Sequence, residues 1–162
     1  MNCSKIITSM LAIFTFVFFY EYLIHGICLE SIYEQTPDLW RTHDAMSDKM
    51  HFMLLNQLLY AASFTLFYAY LSKKTNILLK GIEYGAFVGV ILSGVQIGTY
   101  AYLPISFELM ACWVIVTFIE SLLAGAILSI IWRCSFCIKR KRPSNHTLSL
   151  EKRAYPRNYI FN

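Results

Sequence analysis

The chain has 162 residues, of which 57% are hydrophobic, 16% aromatic and only 15% charged. Soluble domains carry about 25% charged residues, so a soluble globular core is excluded and the length allows one domain. The formal charge of +4 is segregated: between Ile6 and Trp132 the basic residues are Arg41, Lys49, Lys73, Lys74 and Lys80.

A hydrocarbon core of about 30 Å needs roughly 20 apolar residues in a helix. Four segments meet that length. Span one covers 6–24, broken only by Thr8, Ser9, Thr15 and Glu21. No small-x-small processing site precedes Gly26, so the segment reads as a retained span and not a cleaved signal. A connection follows at 26–51. Its acids are Glu30, Glu34, Asp38, Asp44 and Asp48, against Arg41 and Lys49. Leu29, Ile32, Tyr33, Leu39 and Trp40 give it an apolar side, so it either lies on the membrane surface or caps the bundle. Span two covers 52–71, with Met46, Met50, Met53 and Leu54 extending the helical spacing upstream. Span three covers 82–103 and span four 107–132, separated by Leu103-Pro104-Ile105, because proline interrupts a helical ladder. Residues 134–162 form a basic tail, read as mostly flexible.

Positive residues are retained on the cytoplasmic side of a membrane. Lys5, the Lys73–Lys74–Lys80 connection and the basic tail are on one side. The acidic first connection and the charge-free third are on the other. The expected fold is therefore an all-α integral membrane four-helix bundle with both termini cytoplasmic.

Gly81, Gly85 and Gly89 recur at steps of four on span three, and Gly94 and Gly98 form a second pair. Span four answers with Thr117, Ser121, Gly125 and Ser129. Small residues let membrane helices approach closely, so these stripes predict helix packing within the chain or between copies.

Glu120 lies near the middle of span four with no Lys or Arg at matching depth. Hydrocarbon favours its neutral acid form, and an intramembrane carboxyl points to a site facing the bundle interior. Thr15, Ser63 and Ser93, near the midplane of the other spans, are its candidate partners. The alternative is a protonated Glu that merely ties helices together. A second polar group collects toward the outer face. Glu21 and His25 share a helix face at i and i+4. Asn56, Gln57 and His51 lie near the outer end of span two, Gln96 and Tyr100 near that of span three, and Glu108 opens span four. Two readings stand: an outward polar cavity, or an interfacial fringe around an aromatic belt of Tyr20, Tyr22, Tyr100, Tyr102 and Trp113. No His-x-x-His or His-x-x-x-His spacing suggests a metal, and no catalytic or cofactor motif is present. Lys139, Arg140, Lys141 and Arg142 follow span four and suit anionic headgroups better than nucleic acid. Cys134 and Cys137 lack the second pair that a zinc site needs.

Several elements taken in order carry a resemblance: His25-Gly26, Tyr33 with Pro37, Leu39-Trp40-Arg41, Met46, then Gly81, Gly85 and Gly89, Tyr100 to Pro104, and Trp113. The order resembles that of an uncharacterised family of small bacterial four-span membrane proteins, over roughly residues 6–132. The resemblance implies a bundle in a bacterial inner membrane and supplies no activity. The first functional expectation is a non-enzymatic accessory protein that assembles with a second copy or another membrane protein through its small-residue faces. The alternative is a small proton-coupled transporter or channel-like protein with Glu120 as the proton site and Glu21, His25, Asn56, Gln57 and Gln96 at an outer vestibule.

Overall fold

A computed structural model describes residues 3–72 and 80–141, with side chains for all of these except 72, 80 and 134–141. Residues 73–79 and 142–162 therefore lie outside the described residues, as do the side chains of Lys139, Arg140 and Lys141. Every regular element among the described residues is helical. The order is α1 (Cys3–Leu23), α2 (Glu30–Tyr33), α3 (His43–Ser47), α4 (Met50–Ser72), α5 (Lys80–Tyr100) and α6 (Phe107–Lys141). Four helical stretches are long and apolar enough to cross a membrane: Cys3–Cys28, Met50–Leu71, Gly81–Tyr100 and Phe107–Arg133. The protein is a multi-pass membrane protein of all-α class. Its outer surface fits that reading, since Leu11, Phe19, Phe87, Val90 and Ile130 are each at least 60% exposed. In water such a coat would be a large cost, whereas lipid tails accept it freely.

The boundaries differ from the expected ones in instructive ways. Span one does not stop at Ile24; it widens into a π-turn over Ile24–Cys28, closed by a bond from Leu29 N–H to the Ile24 carbonyl (2.9 Å). The first connection is not a plain loop. It holds α2, a 3₁₀ turn at Pro37–Leu39 and α3, whose N-cap Thr42 accepts from Ala45 N–H (3.4 Å). Proline suits the first turn of such a helix because it has no N–H to leave unpaired. Span three ends at Tyr100, three residues early, and tightens into i+3 bonds before Pro104. Helix α6 runs through the boundary drawn at 133/134 and on to Lys141. Nothing breaks it before Pro143, and basic residues in a last turn complement the negative end of the helix dipole.

Tight packing between α5 and α6 organises the bundle. A Cβ at Gly85 would collide with the Ser121 carbonyl oxygen, and one at Gly81 or Gly125 would collide with the other residue's carbonyl. At Gly89 it would come within 2.9 Å of Phe118. The two backbones are in contact, and the small-residue stripes are consumed inside the chain. Gly94 and Gly98 differ, with nothing within 4 Å of an added Cβ.

Helix α1 packs on both α4 and α6. At the end where both terminal helices begin and finish, Trp132 donates to Ser9 Oγ (3.1 Å), and Lys5 donates to the Trp132 carbonyl (3.1 Å). Tyr84 on α5 donates to the Phe64 carbonyl on α4 (2.9 Å), within a core that includes Ile13, Tyr68 and Leu128. At the opposite end, Leu29 packs with Ile105, Leu109 and Met110, and Tyr33, Leu39 and Trp40 lie against that cluster. The first connection therefore caps the bundle; it is not splayed on a surface.

Candidate functional site

Among the four long helices lies a half-open cavity of about 400 Å³, with wall from each of them. Helix α1 and its π-turn contribute Glu21 and His25, and α4 contributes Asn56, Gln57 and Tyr60. Helix α5 adds Gln96, and α6 adds Trp113, Thr117 and Glu120. Six of the nine polar residues singled out from the sequence, Glu21, His25, Asn56, Gln57, Gln96 and Glu120, thus line one space. The chain meets that space at matching depth on four helices, and each helix turns a polar residue to it.

Glu120 is 6% exposed. Its partner is none of the residues expected at the midplane. Thr15 and Ser63 are exposed on the outer surface, and Ser93 donates to the Val114 carbonyl (3.2 Å). Glu120 instead shares the cavity wall with Glu21, near enough for the two carboxyl groups to interact. A hydrogen bond between them needs a proton between the two oxygens, because two facing carboxylates in a low-dielectric setting repel strongly.

From Glu21 a polar chain runs toward the cap. His25 Nε2 is 3.3 Å from Glu21 Oε2. His25 Nδ1 is 2.5 Å from the Tyr33 hydroxyl, which in turn accepts from Trp113 Nε1–H (2.9 Å). One direction of donation satisfies every member: Trp113 N–H to Tyr33 O, Tyr33 O–H to His25 Nδ1, and His25 Nε2–H to Glu21. Burial pushes the Tyr33 hydroxyl above the usual phenol range, with the Trp113 bond acting in the opposite direction. Trp40 stands edge-on to both Tyr33 and Trp113, at ring-centroid distances of 5.0 and 6.2 Å. It thereby packs the far end of the polar chain in aromatic surface.

Sequence reasoning missed several of these roles. Tyr60 lines the cavity and its hydroxyl is 3.4 Å from Ser121 Oγ. Trp113 turns inward and does not join an interfacial belt, and Tyr20 spends its hydroxyl on the Val116 carbonyl (2.9 Å). The exposed aromatic residues of that belt are Tyr22, Tyr100 and Tyr102. His51 and Glu108 are exposed and, like Tyr100, are absent from the cavity wall.

Gln57 is 8% exposed, and its Oε1 has no hydrogen-bond partner. A buried amide oxygen left unpaired costs on the order of 1–3 kcal/mol. Among the described residues, no group of three or more His, Cys, Asp and Glu side chains is placed to hold a metal ion.

Comparison with family models, with curated proteins and with solved structures finds no match.

Proposed function

We propose that this chain is a small non-enzymatic carrier or channel-like protein that admits a solute to the half-open cavity and links its occupancy to protonation of the Glu21–Glu120 pair. One observation carries the reading: Glu120, 6% exposed, shares a cavity wall with Glu21. A buried carboxyl used only to tie helices together needs no cavity beside it. Here the pair faces about 400 Å³ of space and continues into His25 and Tyr33. Intramembrane carboxyls arranged in such chains are the usual apparatus of proton-linked transport.

The competing reading, an accessory protein assembling through small-residue faces, has less surface to use. Gly81, Gly85, Gly89, Ser121 and Gly125 are occupied within the chain. Gly94 and Gly98 alone among these glycines of α5 stay open, and they are the face on which a second copy or another membrane protein would pack.

The charge pattern supports both termini in the cytoplasm and the capped end outside, and a bacterial inner membrane is what the family resemblance implies. Lys5 and the basic tail belong to one end of the bundle, and the acidic first connection belongs to the other. Lys139, Arg140, Lys141 and Arg142 then meet anionic headgroups of the inner leaflet.

The deciding experiment reconstitutes the full chain in liposomes and imposes a pH gradient read by an entrapped dye. The wild type should dissipate the gradient faster than protein-free vesicles, and Glu120→Gln should not. Equal rates for wild type and Glu120→Gln would sink the proton linkage.

A further inference from the structure

The chemistry lining the cavity also selects what enters it. Of the lining residues, none is Lys or Arg, while two are carboxylic acids. Glu21 and Glu120 place their oxygens on that wall with no Lys or Arg to offset them, so an anionic solute would be repelled and a cation drawn in. Gln57 Oε1 is a buried acceptor still waiting for a donor. The Gln57 side chain lines the space while that oxygen is closed to water, so a turn about its last torsion, which is broad for Gln, presents it to an N–H or O–H of a solute. Trp113 adds an indole on the same wall, and aromatic faces attract cations that have shed part of their water. Val17, Leu92 and Val95 make part of the wall apolar, so the solute has a hydrocarbon body as well as a charged head. A space of about 400 Å³ is within the range of small-molecule sites and well above what a bare metal cation needs.

We propose that the cavity binds a small organic ammonium ion, its charge set against the Glu21–Glu120 pair and one of its N–H groups donated to Gln57 Oε1. This rests on reading the cavity as a solute site and names the class of solute. A bound ammonium would offset the negative charge of those acids without any covalent step. It would also supply the donor that Gln57 lacks.

The test is calorimetric titration of the full-length protein in lipid nanodiscs with four probes of similar size. These are benzylamine, benzyl alcohol, benzoate and benzyltrimethylammonium. Benzylamine should bind about tenfold or more tightly than benzyl alcohol or benzoate, reflecting the charge. Benzyltrimethylammonium, a cation without N–H groups, should bind more weakly than benzylamine. Gln57→Leu should weaken benzylamine and leave the quaternary ion unchanged. The double variant Glu21→Gln with Glu120→Gln, which removes the charge that either acid alone would keep, should weaken both cations. Equal binding of benzylamine and benzyl alcohol, or a preference for benzoate, would overturn the proposal. So would a Gln57→Leu variant that binds benzylamine as well as wild type does. Ammonium binding without proton flux in liposomes would remove the proton linkage and keep the ligand class. Flux without ammonium binding would do the reverse.

Discussion

His25 bridges Glu21 and Tyr33: its Nε2 lies 3.3 Å from the Glu21 carboxylate and its Nδ1 lies 2.5 Å from the Tyr33 hydroxyl. The bridge ties the end of the first span to the segment that caps the bundle. Tyr33→Phe cuts it and also strands the Trp113 indole N–H, which has Tyr33 as its acceptor. Leaving a half-buried donor unpaired costs about 1–3 kcal/mol. The variant should melt at lower temperature in detergent. Its amides over residues 29–40 should exchange faster with deuterium, while α5 and α6 keep their protection. Unchanged exchange in the cap would mean that its apolar packing alone holds it down.

The same hydroxyl gives a pH dependence. Burial raises Tyr33 above the ordinary phenol range. A group whose folded value is raised contributes stability that is fully present below its unfolded value of about 10 and is lost as pH rises through the folded value. The loss therefore starts near pH 10 and grows above it. Thermal midpoints of wild type and Tyr33→Phe, measured from pH 8 to 11, should converge at the alkaline end. Parallel curves would show that Tyr33 titrates alike in both states.

The α5–α6 seam predicts a sharp contrast between glycines of one helix. Gly85→Ala places a methyl group against the Ser121 backbone carbonyl, which cannot swing aside as a side-chain tip can. Overpacking of this kind costs about 1–3 kcal/mol, and Gly85→Leu should cost more. Gly94→Ala meets open space and should leave monomer stability unchanged or slightly improved, since alanine is the better helix former. Thermal unfolding of both variants in one detergent reads the difference. If Gly94→Ala instead destabilised an oligomer, that face would be where copies meet.

Much of this arrangement was legible in the sequence because depth in a membrane can be counted along each helix. Glu120 at the midplane and Glu21, His25, Asn56, Gln57 and Gln96 of the outer polar group line one cavity, whereas His51, Tyr100 and Glu108 of that group do not. Direction around each helix was not legible. These spans are apolar on nearly every face, so periodicity does not say which side turns inward. Thr15 and Ser63 were therefore paired with Glu120 although they face outward, and Trp113 was assigned to the surface although it faces in. The Glu21–Glu120 pairing was missed for a further reason. The residues are 99 positions apart by their numbers, and two acids are not an obvious pair until a shared proton is allowed. Gly81, Gly85 and Gly89 carry direction as well as depth, since a repeat of four on both partners marks a face directly.

The orientation can be read from the native cysteines. Cys28 is exposed at the capped end and Cys3 is exposed at the other, while Cys112 is half-buried. In intact cells a membrane-impermeant maleimide should label a variant retaining Cys28 alone, and it should label one retaining Cys3 alone only after the membrane is opened. A reporter inserted near Asp44 should read external, and one fused after Asn162 cytoplasmic. The opposite labelling would invert the bundle and place the cavity mouth in the cytoplasm.

Gln57 offers the most discriminating single substitution. Its side chain is buried, its Oε1 is unpaired, and methionine matches its length without a polar group. In the empty protein Gln57→Met removes a stranded acceptor, so the thermal midpoint should rise by an amount corresponding to about 1 kcal/mol. Addition of benzylamine should then raise the wild-type midpoint more than that of the variant, because a ligand stabilises only in proportion to its affinity for the folded state. The signs are opposed: the variant is the more stable protein without ligand and gains less from it. A residue kept only for packing would lose stability on substitution and respond to ligand as wild type does.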